Sequence, residues 1–198
     1  MTSDEEPEAA GASALEGGAS ALEGADVLRT HRLEAFSDGV MAVIITIMAF
    51  ELRAPHGTNL TALRQDLPPL LVYMLSFVFI GIYWNNHHHL LRQTERISGA
   101  VMWANLHLLF WLSLMPVLTE WVGTSYRHTE PAAVYGAAAL GAAIAYWILV
   151  KCIIRANDSD STVTRSIGSD YKGLISMVIY AAAIPLALVT PWIAYGGY

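Results

Sequence analysis

The chain has 198 residues, 55% of them hydrophobic and 14% charged, with a formal net charge of −6 and a mean hydropathy of +0.42. That balance excludes an ordinary soluble domain of this length and reads as an integral membrane protein. The apolar runs are continuous and lack the alternation that membrane strands of about ten residues require, so the expected fold class is an all-α, polytopic transmembrane helical bundle.

Residues 1–28 read as a disordered acidic tail. Gly11-Ala-Ser-Ala-Leu-Glu-Gly17 is repeated directly as Gly18-Ala-Ser-Ala-Leu-Glu-Gly24, and a segment rich in Gly, Ser and Glu has little apolar surface to bury. Asp4, Glu5, Glu6, Glu8, Glu16, Glu23 and Asp26 all fall here, and removing these seven acids takes the formal charge from −6 to +1. The acidity therefore belongs to the tail and not to residues 29–198, which form the transmembrane domain. The segment has neither a basic start nor an apolar run, so it is not a signal peptide.

A helix needs about 20 mostly apolar residues to cross the hydrocarbon core. Five runs qualify, near Leu33–Leu52, Leu67–Leu90, Ala100–Trp121, Ala132–Val150 and Gly173–Thr190. Pro191 to Tyr198 follows as a short or truncated sixth span, and the spans are read as unbroken. Lys and Arg mark the cytoplasmic side. With the N-terminus inside, that side holds Arg29, Arg32, Arg92, Arg96, Lys151, Arg155, Arg165 and Lys172, against Arg53, Arg64 and Arg127 outside. The expected location is the cell membrane, multi-pass, with a cytoplasmic N-terminus.

The first span opens on Ser37 and Asp38, which either cap the helix start or enter a buried polar network; Arg32 is a possible partner for Asp38, with Glu34 competing. Further along, Val43, Thr46, Ile47 and Phe50 share one helical stripe. It serves either as a lipid-facing or core-facing surface, with Thr46 bonded to its own backbone, or as a narrow pore lining of apolar rings and a hydroxyl.

The second span closes on Tyr83-Trp84-Asn85-Asn86-His87-His88-His89, a polar end to an apolar helix. It fits an interfacial belt or a network with Asp38 at the same level. Three consecutive His point about 100° apart and cannot share one ion, and His107 is the one obvious further ligand, so no metal site is expected. On the fourth span Ala133, Ala137, Gly141 and Ala145 recur at every fourth position, a small-residue stripe for close helix packing.

No phosphate loop, nucleophile arrangement or basic aromatic groove appears, so neither an enzyme nor a nucleic-acid partner is expected. Arg32-x-x-x-Phe36-Ser37-Asp38-Gly39, followed by Val-Met-Ala-Val-Ile-Ile-Thr-Ile-Met, resembles the first helix of the bacterial relatives of the endolysosomal potassium channel called transmembrane protein 175. Trp84-x-x-His87-His88 resembles that family's second signature.

The resemblance implies a potassium-selective, leak-type cation channel in the lipid bilayer, a homotetramer whose central pore is lined by the first helix of each subunit. It implies no cofactor beyond the permeant K+. By position Val43 would form the apolar constriction, Thr46 the threonine layer linked to potassium preference, and Ile47 and Phe50 the next apolar rings. Arg32, Phe36, Ser37, Asp38, Trp84, His87 and His88 would form the structural polar network. Val43 departs from the family's larger Ile or Leu. The competing reading is a proton-coupled transporter or proton channel using Asp38 and the His cluster.

Overall fold

Apolar runs long enough to cross a membrane fold here as helices packed side by side. The computed structural model describes residues 6–54, 64, 67–126 and 128–157. The helices are α1 (Glu6–Phe50), α2 (Leu67–Arg92), α3 (Gly99–Ser113), α4 (Met115–Thr124) and α5 (Thr129–Ala156). Four stretches, Gly24–Phe50, Leu67–Arg92, the continuous pair Gly99–Thr124 and Thr129–Ala156, are long and apolar enough to cross a membrane by length and composition. The fifth expected span and the sixth lie outside the described residues.

Local chemistry sets the helix ends. Pro68 and Pro69 open α2, and Pro131 sits in the first turn of α5, where a missing N–H costs no helical bond. Ser98 caps α3 by accepting from the Val101 N–H at 3.3 Å. At the far end of α5, buried Asn157 donates to the Ile153 carbonyl at 2.9 Å. It also accepts from the backbone N–H groups of Glu95 and Arg96 at 3.1 and 2.9 Å, tying the loop after α2 to α5.

α1 is helical from Glu6; the Ala, Leu and Glu of its first part are strong helix formers. Two expectations are corrected. First, the third span is not unbroken: it divides at Leu114 into α3 and α4. Pro116 lacks the N–H that would bond the Leu112 carbonyl, and its ring crowds the preceding turn. Second, the buried small-residue stripe is turned by about one position. Ala138, Ala139, Ala142 and Ala145 are buried, Ala133 and Gly141 are half-buried, and Ala137 is exposed.

Alanines on α5 let α3 approach closely, and these two helices make the most extensive contact in the bundle. α1 packs on α2, α3 and α4, and α2 also packs on α4. The core draws Met41, Ile44 and Met48 from α1, Phe79, Ile80 and Tyr83 from α2, Leu108 and Leu112 from α3, and Leu149 from α5.

The tightest approach is at Gly141, where an added Cβ would lie 2.5 Å from the Trp111 ring, whereas Gly81 has open space around it. Gly141→Val is expected to destabilise the bundle by about 1–3 kcal/mol, seen as a lower melting temperature of the detergent-purified protein. Gly81→Ala is expected to leave it unchanged or raise it, because only the helix propensity changes.

Candidate functional site: the two faces of the first helix

One face of α1 is anchored in the bundle. Ser37, Met41, Ile44 and Met48, spaced by four, three and four, are all buried. Ser37 begins a chain of hydrogen bonds across three helices. Its hydroxyl donates to the Leu33 carbonyl at 2.8 Å and accepts from Asn105 Nδ2 of α3 at 2.9 Å. The Asn105 Oδ1 in turn accepts from His87 Nε2 of α2 at 2.6 Å. Because the chain ends on a carbonyl, every donor is directed toward α1, and His87 carries its proton on Nε2.

Beside it lies a second, half-buried cluster. Trp84 Nε1 donates to Asp38 Oδ1 at 3.0 Å, and the Trp84 ring stacks on His88 with centroids 5.6 Å apart. His88 Nδ1 lies 3.1 Å from Glu34 Oε1 and 3.8 Å from Asp38 Oδ2. Trp84 and His87 therefore serve different neighbours: His87 turns inward to Asn105, while Trp84 and His88, one turn apart, face the carboxylates of α1.

The structure thus brings Ser37, Asp38, Trp84, His87 and His88 together at one end of α1 and α2. It does not bring in Arg32 or Phe36. Arg32 is exposed and forms no ion pair among the described residues, and Arg92 approaches Glu34 instead, at 3.9 Å. Phe36 is 50% exposed. His107 is exposed on α3 and accepts from Trp111 Nε1 at 3.0 Å.

Sequence reading missed Asn105 and Glu34 as members. Asn105, a lone amide in the apolar run Val101–Leu112, was the available signal, since an amide at that depth needs a partner. It also missed a second buried polar group toward the Phe50 end. There Thr119 donates to Ser76 at 2.8 Å, Ser76 shares a hydrogen bond with Tyr135 at 3.0 Å, and Thr119 lies 3.7 Å from Met48 Sδ.

Among the described residues, the opposite face of α1 has no partner. Val43, Ile47 and Phe50 are 54%, 43% and 85% exposed, and Thr46 is exposed with them. Thr46 Oγ1 donates to the Val43 carbonyl at 2.9 Å, three residues back rather than four. With its proton used inside the helix, the hydroxyl presents oxygen lone pairs outward.

Comparison with known proteins finds one family across this region. The family described as "Endosomal/lysosomal potassium channel TMEM175" matches residues 32–116, which contain both faces of α1, all of α2 and the Pro116 break. A potassium channel of Chryseobacterium sp. (strain P1-3) is 50% identical over 167 residues, 84% of this chain and 87% of the relative. The crystal structure of a lysosomal potassium-selective channel TMEM175 homolog from Chamaesiphon minutus matches with a TM-score of 0.75 at 27% identity, over 85% of this chain and 92% of that one. The chicken endosomal/lysosomal proton channel TMEM175 is 33% identical over 119 residues, 52% of this chain and 24% of the relative.

Removing the central amide of the buried chain strands both His87 and Ser37. Asn105→Leu is therefore expected to destabilise by about 1–3 kcal/mol, and Ser37→Ala by less. Combined, the two should cost clearly less than their sum, because they share one hydrogen bond. A double-mutant cycle on melting temperature or denaturant midpoint in detergent measures this.

Proposed function

The chain belongs to the TMEM175 family of potassium channels, and from that premise we propose a passive, leak-type channel: a homotetramer in which α1 of each subunit lines a central pore for K+. The observation that carries this reading is a face of α1 that has no partner among the described residues. Among the described residues, a helix anchored by Ser37, Met41, Ile44 and Met48 leaves Val43, Thr46, Ile47 and Phe50 uncovered on its opposite side. Around a fourfold axis that side becomes the pore wall.

Each residue then has a physical role. Val43, Ile47 and Phe50 form apolar rings that an ion passes only by shedding water or by passing when the ring is wide and wet. Thr46 lies between two of these rings. Its outward lone pairs replace part of the lost hydration shell, and the spacing of these oxygens favours one cation radius over another. Val43 is smaller than a Leu or Ile at the same place, so its ring leaves the wider opening. Arg32, Phe36, Ser37, Asp38, Trp84, His87 and His88 hold the pore helices in place and do not touch the ion. For Arg32 and Phe36, exposed in one copy, the partners would come from a neighbouring subunit.

In this reading the chain sits in the cell membrane, multi-pass, with its N-terminus in the cytoplasm, as the distribution of Lys and Arg supports. The second reading, a proton channel or proton-coupled carrier, draws on the name of the animal relatives and on the broken third span, since interrupted helices accompany transport sites in carriers. In the described residues, however, the break at Leu114 faces no cluster of ionisable groups.

The test is ion flux from proteoliposomes loaded with K+ or Na+. Thr46→Ala is expected to lower the K+/Na+ flux ratio severalfold with total flux retained, and Val43→Ala to raise total flux. An unchanged ratio in Thr46→Ala removes that residue from selectivity. Flux that follows a pH gradient and ignores K+ favours the second reading.

A further inference from the structure

Glu34 and Asp38 lie one turn apart on the same side of α1, and His88 faces both from α2. One ligand atom from each comes within 4.8 Å of the others. The three side chains are 13%, 33% and 25% exposed, respectively, so they stand at the rim of the bundle, partly out of water and open to it on one side.

Three features distinguish this cluster from an ordinary surface ion pair. His88 Nδ1 is fully buried and forms no aligned hydrogen bond, although it points between Glu34 Oε1 at 3.1 Å and Asp38 Oδ2 at 3.8 Å. If the imidazole is neutral with its proton on Nε2, the Nδ1 lone pair faces two carboxylates, an unfavourable arrangement that a bound cation relieves; the alternative is a proton on Nδ1 paired with Glu34 at 3.1 Å. The outer groups also hold the ligands in place. Trp84 Nε1 takes Asp38 Oδ1, which leaves Oδ2 directed at His88, and the Trp84 ring stacks on the imidazole and fixes its plane. Such oriented second contacts are what metal ligands require.

The donor set also selects the ion. One imidazole and two carboxylates suit a first-row divalent cation better than K+ or Ca2+, and three protein ligands leave positions for water. The two competing cations, Arg92 Nε at 3.9 Å and His31 Nδ1 at 3.6 Å from Glu34, belong to side chains 67% and 71% exposed. Exposed pairs of this kind contribute little and are readily displaced.

We propose that Glu34, Asp38 and His88 form a binding site for a first-row divalent cation that staples the start of the first membrane helix to the end of the second. The site is built from α1 and α2 of one copy alone, so it stands whether or not the chain conducts.

The test uses the untagged full chain, purified in detergent and freed of metal, titrated with Zn2+ by calorimetry and with Co2+ by visible absorption. The expected result is one tight Zn2+ per chain, a ligand-field spectrum for Co2+ with imidazole and carboxylate character, and a higher melting temperature with Zn2+. Glu34→Gln and His88→Gln should each weaken Zn2+ binding by about tenfold or more, while His107→Gln, outside the cluster, should leave it unchanged. Asp38 is avoided because its bond to Trp84 also supports the fold; Glu34, at the rim, is the variant expected to fold normally. No tight Zn2+ in the parent, or equal affinity in folded Glu34→Gln, overturns the proposal and leaves the cluster as an ion-pair network alone.

Discussion

The one-way chain from His87 through Asn105 and Ser37 to the Leu33 carbonyl fixes the rotation of the first helix, and the other features of the site follow from that rotation. In a soluble protein the apolar face of a helix would be set by exclusion from water. In a bilayer that force vanishes between helices, because lipid tails are as apolar as Met41 or Val43. Turning α1 by one residue, about 100°, would exchange one apolar surface for another at small cost. It would also strand a hydroxyl, an amide and an imidazole in apolar surroundings, each costing on the order of 1–3 kcal/mol. Three polar side chains at one level therefore decide which apolar side chains face outward.

α1 thus carries two faces of similar residues. Its anchored stripe (Met41, Ile44, Met48) and its open stripe (Val43, Ile47, Phe50) have the same helical spacing and nearly the same chemistry. Periodicity alone distinguishes two faces without ranking them. Ser37 belongs to the anchored set and Thr46 to the open one, and each hydroxyl bonds back to its own helix, at Leu33 and Val43 respectively. Among the described residues, only Ser37 of the two also meets a donor from another helix.

Much of the architecture was legible in the sequence because length and hydropathy are read directly: four of the expected spans recur with ends shifted by several residues. The clustering of Ser37 and Asp38 with Trp84, His87 and His88 was legible too, since charged and imidazole groups at membrane depth seek one another. What escaped was set by tertiary geometry or by overlooked local chemistry. Pro116 was visible as a breaker within the third span. The buried stripe of α5 differs from the expected one by a rotation of about 100°, which no four-residue spacing of alanines can determine. The carboxylates Glu34 and Asp38 come to His88 from a different helix, a juxtaposition that the run of three histidines does not show. The pore assignment itself came from family resemblance, not from periodicity.

The two polar groups hold α1 at two levels. Ser37 is held at one end of α1's membrane segment, and Met48, eleven residues on, meets Thr119 at the other. About 16 Å of helix runs between these attachments, and Val43 and Thr46 lie inside it. Thr119 is on α4, just beyond the Pro116 break, so Asn105 on α3 and Thr119 on α4 meet α1 from the two segments of the interrupted span. Met41 and Ile44, buried between these attachments, complete the anchored side, so α1 is held along one face from Ser37 to Met48.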